Sequence, residues 1–179
     1  MKNITVISSS FRLNGNSANL ADSFIKGAKE NGNNVNLIKL KDIELKYCFG
    51  CLACQKTKVC VQKDGVNSSL DGISESDILV FVTPIYYYSI SGQLKTFLDR
   101  LNPLFVRKNK FKDIYLIASC ADDDKAALDG AIKEIEGWMS CFNGTGLKGV
   151  IYGTSLTGVN DYKTSASLDE AYKMGLLVK

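Results

Sequence analysis

The chain has 179 residues, of which 45% are apolar and 23% charged, with a formal net charge of +3 and no histidine. That length suits one domain over 1–179 that buries roughly 70% of its unfolded surface, and no apolar run approaches the ~20 residues of a membrane span. The absence of histidine removes Ser-His-Asp and Cys-His catalysis and every imidazole metal site. The densest basic run, Arg107 to Lys112, is short and reads as a solvated loop, so no nucleic-acid partner is expected. The N-terminus enters a strand directly and carries no export pattern. A cytoplasmic, reducing setting is therefore expected, in which six cysteines do not read as a disulfide framework.

Asn3 to Ser9 is a short β-branched apolar run and predicts a buried strand. The polar loop SSSFRLNGNS follows, and Ser17 is expected to cap a helix whose apolar positions are Leu20, Phe24, Ile25 and Ala28. Asn34 to Leu40 predicts a second strand, and a long loop then carries Cys48, Cys51, Cys54 and Cys60. A short amphipathic helix over 66–76 precedes the most apolar strand, Asp77 to Pro84, which ends in proline. Ser91 to Phe105 predicts a helix with Leu94, Phe97, Leu98 and Leu101 on one face. A fourth strand over 112–119, a helix over 124–142, a fifth strand over 147–155 and a helix over 167–177 complete the alternation.

Continuously apolar strands alternating with helices predict a parallel sheet covered on both faces. Right-handed crossovers then give a doubly wound α/β sandwich of five strands in the order 2-1-3-4-5. In such sheets ligands sit beyond the carboxyl ends of the strands. The first loop offers Ser8, Ser9, Ser10 and Ser17 hydroxyls, Asn16, Arg12 and a helix N-terminus, which together suit a phosphate. It is neither a P-loop nor a G-x-G-x-x-G turn. A polar turn that only caps the helix is the competing reading.

The loop SSSFRLNGNS resembles the Gly-Ser-Pro-Arg-x-x-Gly-Asn-Ser/Thr loop of the NADPH-dependent FMN reductase and iron–sulfur flavoprotein families. The stretch from Thr83 to Arg100, TPIYYYSISGQLKTFLDR, resembles their Pro-x-Tyr loop and the helix that follows it. The resemblance implies a flavodoxin-like fold, FMN as cofactor, NAD(P)H as hydride donor and a small-molecule electron acceptor. It also implies a homodimer or higher homo-oligomer, because the FMN sites of such proteins often lie between subunits. By position, Ser9, Ser10, Arg12, Asn16 and Ser17 would hold the FMN phosphate. Pro84, Ile85, Tyr86, Tyr87 and Tyr88 would border the ring, with Ala121 and Asp122 as the third wall. Ser9 and Phe11 depart from the family's usual glycine and proline, and Ser9 is expected to retune FMN affinity. Hydride chemistry on FMN requires no catalytic side chain, and Asp99 and Arg100 read as a structural ion pair or cap.

The four cysteines follow the spacing C-x2-C-x2-C-x5-C, whose three-residue steps suit a 4Fe–4S cluster better than zinc. The iron–sulfur flavoproteins use such a set as cluster ligands, whereas a related group of flavin reductases carries the same cysteines and also resembles the CVQKD, TPIYYYS and GVIYGT stretches of this chain. Three readings stay open: cluster ligands, a thiol redox device helped by Lys46, Lys56 and Lys58, and reduced thiols packed as small hydrophobes beside the flavin. Cys120 and Cys141 read as core residues, Cys120 within reach of the ring.

Overall fold

The computed structural model describes all of residues 1–179. Strands β1 (Asn3–Ser8), β2 (Asn34–Lys39), β3 (Ile78–Tyr86), β5 (Asp113–Ser119) and β6 (Gly146–Gly153) form one parallel sheet in the order β2-β1-β3-β5-β6. A two-residue strand, β4 (Ser89–Ile90), pairs antiparallel with the end of β3 and lies off this path. The five parallel strands thus keep the expected order 2-1-3-4-5, and the sixth is an addition that the loop TPIYYYS did not suggest.

Alternation along each strand sends side chains to opposite faces. Ile4, Val6, Val80, Val82 and Ile117 pack on one side with Leu20 and Phe24 of α1 (Asn16–Glu30) and Ala171 of α6 (Ala166–Leu177). Ile7, Leu79, Phe81 and Leu116 pack on the other side. There they meet Leu70 and Ile73 of α3 (Leu70–Glu75), Phe97 of α4 (Gly92–Arg100) and Ile135 of α5 (Asp129–Met139). A short helical turn, α2 (Cys54–Thr57), lies inside the cysteine loop. No helix is long and apolar enough to cross a membrane.

Two boundaries differ from expectation for local reasons. The helix expected over 91–105 stops at Arg100, and Asn102–Val106 continues as a 3-10 turn. Pro103 explains the stop, because it lacks the N–H that an α-helix needs and its ring crowds the preceding turn. Helix α1 begins at Asn16 with Gly15 at the cap, so Ser17 lies in the first turn and does not cap it. The basic run is partly neutralised: Arg107 pairs with Asp71 and Lys110 with Glu75.

Candidate active site

The carboxyl ends of β1, β3, β5 and β6 open into one cleft with about 660 Å³ of free space, its open mouth included. Its first wall is the β1–α1 loop. No side chain caps α1, and no acidic residue lies in its first turn. Helix geometry leaves the first N–H groups without intrahelical partners, and no acceptor in the protein takes those of Asn16, Ser17 and Ala18. The Ser10 and Ser17 hydroxyls also reach the cleft without a partner inside the protein. Free donors at the positive end of a helix suit an anion, with Arg12 beside them as a charge. Gly15 closes this loop: a Cβ there would fall 2.6 Å from Ser10 Oγ and 3.2 Å from Arg12 Cβ.

Asn16 and Ser9 do other work. Asn16 Nδ2 donates to Gly158 O at 2.9 Å, and its Oδ1 accepts from Tyr162 N at 3.2 Å. The amide thus ties the first loop to the loop after β6, and only the Asn16 backbone N–H stays free for a ligand. Ser9 is buried and does not line the cleft. Its hydroxyl donates to Val82 O at 3.0 Å and accepts from Ser91 Oγ at 2.8 Å. Ser91 in turn caps α4 by accepting from Leu94 N, and its own N–H donates to Thr83 Oγ1 at 2.9 Å. This buried hydroxyl chain fastens β1, β3 and the start of α4 behind the cleft.

Pro84, Ile85 and Tyr86 form the second wall. Tyr87 and Tyr88 do not reach the cleft. They make the two-residue turn between β3 and β4, with φ of 51° and 62°. Two consecutive left-handed residues define the tight hairpin turn that normally selects Asn-Gly, and a Cβ in that conformation costs roughly 1–2 kcal/mol per residue. Neighbouring elements hold the turn. Glu134 on α5 accepts from Ser89 Oγ at 2.8 Å and from Ile90 N at 3.1 Å. Gly130 lets α5 approach so closely that a Cβ there would meet Tyr88 O at 2.1 Å. Tyr87 is fully exposed at the tip.

The third wall is Ser119, Cys120 and Ala121 at the end of β5, joined by Leu156 and Thr157 after β6. Asp122 stands outside the cleft, where its side chain accepts from Tyr88 Oη at 3.4 Å and from Asp124 N at 3.0 Å. Cys120 is the one cleft thiol; burial pushes its pKa up, so it stays protonated at neutral pH. Of the expected site residues, the cleft gathers Ser10, Arg12, Asn16, Ser17, Pro84, Ile85, Tyr86 and Ala121. It takes in Cys120, the strand-end residue expected near it, and adds Phe11, Gly15, Ser119, Leu156 and Thr157. The rule that ligands sit at the carboxyl ends of strands could have found Leu156 and Thr157, because they follow the last strand.

The cysteine loop lies elsewhere. Cys48, Cys51, Cys54 and Cys60 line one small cavity with Arg100, Asn102 and Pro103, beyond the C-terminal end of α4. The cleft lies toward the other end of that helix, where Ser91 at its N-cap bonds Ser9 behind the cleft. The expectation that these thiols border the cleft is therefore corrected within the chain; none of the four lines it.

The reason is a buried ion pair. Arg100 and Asp64 side chains are both fully buried, with Arg100 Nη2 donating to Asp64 Oδ1 at 3.0 Å. Arg100 also donates to Lys46 O at 2.7 Å and to Cys60 Sγ at 3.3 Å. Burial opposes ionisation of Asp64, but hydrogen bonds from Arg100 and from the Lys46 and Val66 N–H groups outweigh it and hold the carboxyl below its usual range. Asn102 Nδ2 donates to Cys54 Sγ at 3.3 Å, and burial leads the causes that raise the Cys54 thiol. Cys48 and Cys51 stay exposed. No group of three cysteines or carboxylates is close enough together to hold a metal ion. The thiols are gathered on one cavity, yet as they stand they do not fit a closed cluster site. Asp99 pairs with Lys95 on the surface at 2.7 Å, so Asp99 and Arg100 each take a partner other than one another.

A family model described as NADPH-dependent FMN reductase matches residues 2–128. The chain belongs to this family. An iron–sulfur flavoprotein from Archaeoglobus fulgidus is 31% identical over 103 residues, which cover 58% of this chain and 46% of that protein. A putative NAD(P)H-dependent FMN-containing oxidoreductase from Bacillus subtilis is 28% identical, with 84% of this chain and 83% of the relative covered. The match spans about half the length of this iron–sulfur flavoprotein and of those from Methanocaldococcus jannaschii and Clostridioides difficile. An azoreductase structure from Bacillus anthracis superposes with a TM-score of 0.73 at 22% identity, covering 98% of this chain and 99% of the other, which shows a common fold. The matched segment of this FMN reductase family member contains the first two cleft walls, the Ser119–Ala121 part of the third and the whole cysteine loop, and stops short of Leu156 and Thr157.

Proposed function

We propose that the chain is an FMN-dependent NAD(P)H oxidoreductase of one FMN-binding domain over 1–179. It reduces a small electron acceptor of the flavin, quinone or nitro- and azo-aromatic class, and works in the cytoplasm as a homodimer. The observation that carries this reading is the uncapped N-terminus of α1, whose free donors open into the same cleft as the Pro84–Tyr86 and Ser119–Ala121 walls.

The N–H groups of Asn16, Ser17 and Ala18, with the Ser10 and Ser17 hydroxyls and Arg12, would hold the FMN phosphate. Ile85, Tyr86, Cys120 and Ala121 offer largely apolar surfaces suited to a planar ring. FMN held there would supply the hydride-accepting and electron-donating chemistry, and the chain's own residues would bind and orient it and its partners. The titratable groups lining the cleft are Arg12, Tyr86 and Cys120, and Cys120 is held protonated.

The test is anaerobic purification followed by absorbance and iron analysis. A two-band yellow spectrum that NADH or NADPH bleaches supports the reductase. A colourless protein that ignores added FMN, or a flavin that neither dinucleotide bleaches, sinks it. A second reading, an electron-transfer protein with a 4Fe–4S cluster, is favoured by the convergence of four cysteines on one cavity and opposed by their open arrangement. About four irons per chain would decide for it.

A further inference from the structure

The four thiols of the cysteine loop are not alike. Cys48 and Cys51 are exposed, whereas Cys54 is buried and Cys60 half-buried. Both inner sulfurs accept a hydrogen bond from the end of α4, Cys54 from Asn102 Nδ2 and Cys60 from Arg100 Nη2, each at 3.3 Å. The chain path brings the pair together. Helix α2 ends at Thr57, and Lys58 takes a left-handed conformation with φ of 62° while its N–H donates to Cys54 O at 2.8 Å. The chain thus turns back, and Asn67 fixes Cys60 by donating to its carbonyl and accepting from its N–H, each at 2.8 Å. Burial leads the causes that raise the Cys54 thiol, and among the other thiols Cys60 adds most, which marks it as the nearest.

A metal ion held by protein thiolates takes three or more ligands, and no such group is close enough together here. A disulfide takes only two. The cavity that the four cysteines line has room for about one water molecule, 20 Å³. An oxidant that reaches the inner sulfurs through it has to be small. Reactive thiols are partly exposed and stand beside a cation. Cys60 meets both conditions, with Arg100 on its sulfur and Asp64 offsetting part of that charge. Lys46, by contrast, pairs with Glu44.

We propose that Cys54 and Cys60 form a reversible thiol–disulfide pair that responds to hydrogen peroxide, Cys60 being the sulfur oxidised and Cys54 the one that closes the disulfide. Cys60 Sγ attacks one peroxide oxygen, the O–O bond breaks, and a sulfenic acid and one water result once the thiol proton is counted. Cys54 Sγ then attacks the Cys60 sulfur. The S–S bond forms, the S–O bond breaks, and the oxygen leaves as a second water with the Cys54 proton. Two thiols and one peroxide thus give one disulfide and two waters, and a small thiol reductant returns the two electrons. While the disulfide stands, the loop has only two thiols left and cannot ligate iron with four.

The test treats the reduced, purified full chain with one equivalent of hydrogen peroxide, alkylates the remaining thiols and reads masses. Two of the six cysteines are expected to escape alkylation, and dithiothreitol to restore them. Lys56 and Lys58 lie between the two cysteines, so trypsin separates them and the disulfide appears as peptide 47–56 joined to peptide 59–63. The double variant C48S/C51S keeps that link. C60S abolishes it and slows thiol loss at least about tenfold. C54S leaves Cys60 without its resolving thiol, so peptide 59–63 gains two oxygens as the sulfinic acid, a product that misfolding alone does not select. A disulfide confined to peptide 47–56, loss of the link in C48S/C51S, or equal oxidation of all four loop thiols overturns the proposal. So do about four irons per chain after anaerobic purification, because the thiols then belong to a cluster. None of these readouts involves flavin bleaching, so the reductase reading stands or falls separately.

Discussion

At the N-terminus of α1 three consecutive N–H groups and two hydroxyls have no partner within the protein. At the C-terminus of α4 most polar groups are paired inside the protein, and Arg100 Nε is the one buried there without a partner. Arg100 bonds a carboxylate, a carbonyl and a thiol; Asp64 accepts from two backbone N–H groups besides; and Asn102 caps a second thiol. The first region is a binding site because its donors are left open at the mouth of a cleft. The second is a clamp that holds a long loop against the body of the fold. The difference teaches that chemical variety in a loop does not by itself indicate a ligand; unsatisfied polar groups at an accessible concavity do.

The largest effect is expected from the clamp. Arg100→Ala leaves Asp64 buried without its charge partner, a change that costs about 3–5 kcal/mol and is measured as a fall in the urea midpoint. The cysteine loop should loosen, so that Cys54 and Cys60 react with a thiol reagent as fast as Cys48 and Cys51. Unchanged stability would show that the loop is held by something else. The same clamp sets an acid limit. The folded carboxyl of Asp64 lies below its unfolded value of about 4. Its stabilisation is therefore full above that pH and is lost as pH falls through the lower folded value. Wild type should release the loop in that acid window, and an Asp64→Asn variant should show no such step.

The cradle gives the next effect. In Gly15→Ala the added methyl must displace Ser10 Oγ and the Arg12 backbone. Overpacking of this size costs about 1–3 kcal/mol, expected here as FMN binding weaker by roughly five- to a hundred-fold in a fluorescence titration. Normal affinity would mean that the first loop does not hold the phosphate.

Ser9→Gly, which restores the residue usual in the family, sharpens the contrast between holding a ligand and holding the fold. It removes the hydroxyl bonds to Val82 and Ser91, while the backbone N–H of residue 9 keeps its bond to Val82 O, and should lower stability by about 1 kcal/mol, with FMN affinity changed less than twofold. A large affinity change with constant stability would return Ser9 to the cofactor. Smallest is the net effect of replacing Tyr87-Tyr88 by Asn-Gly. Relief of two left-handed tyrosines should raise Tm, offset in part by the entropy that glycine loses on folding. A net gain of about 1 kcal/mol or less is expected. If acceptor reduction or dimerisation falls as Tm rises, the strain serves the exposed tyrosines rather than the fold.

Much of this was readable from residue patterns. Buried β-branched strands separated by amphipathic helices predicted the sheet and its order, because period and burial are local properties. The polar first loop and the proline-ended strand predicted two walls of the cleft for the same reason, since the carboxyl ends of parallel strands converge. The hairpin at Tyr87 was not readable, because tyrosine is a poor residue for that turn, and the turn is held by Glu134 and Gly130 from a distant helix.

The chain pattern by itself determined the α/β sandwich, the location of an anion site after the first strand and the presence of a thiol-rich loop. Tertiary structure alone decided which polar groups remain open. Ser9 turned inward to Ser91, Asn16 turned to the loop after β6, and Arg100 drew the cysteine loop to the far end of α4. Each depends on a partner between 40 and 142 residues away in the chain. Hydrogen-bond satisfaction across such separations is a property of the packed molecule, and no local pattern carries it.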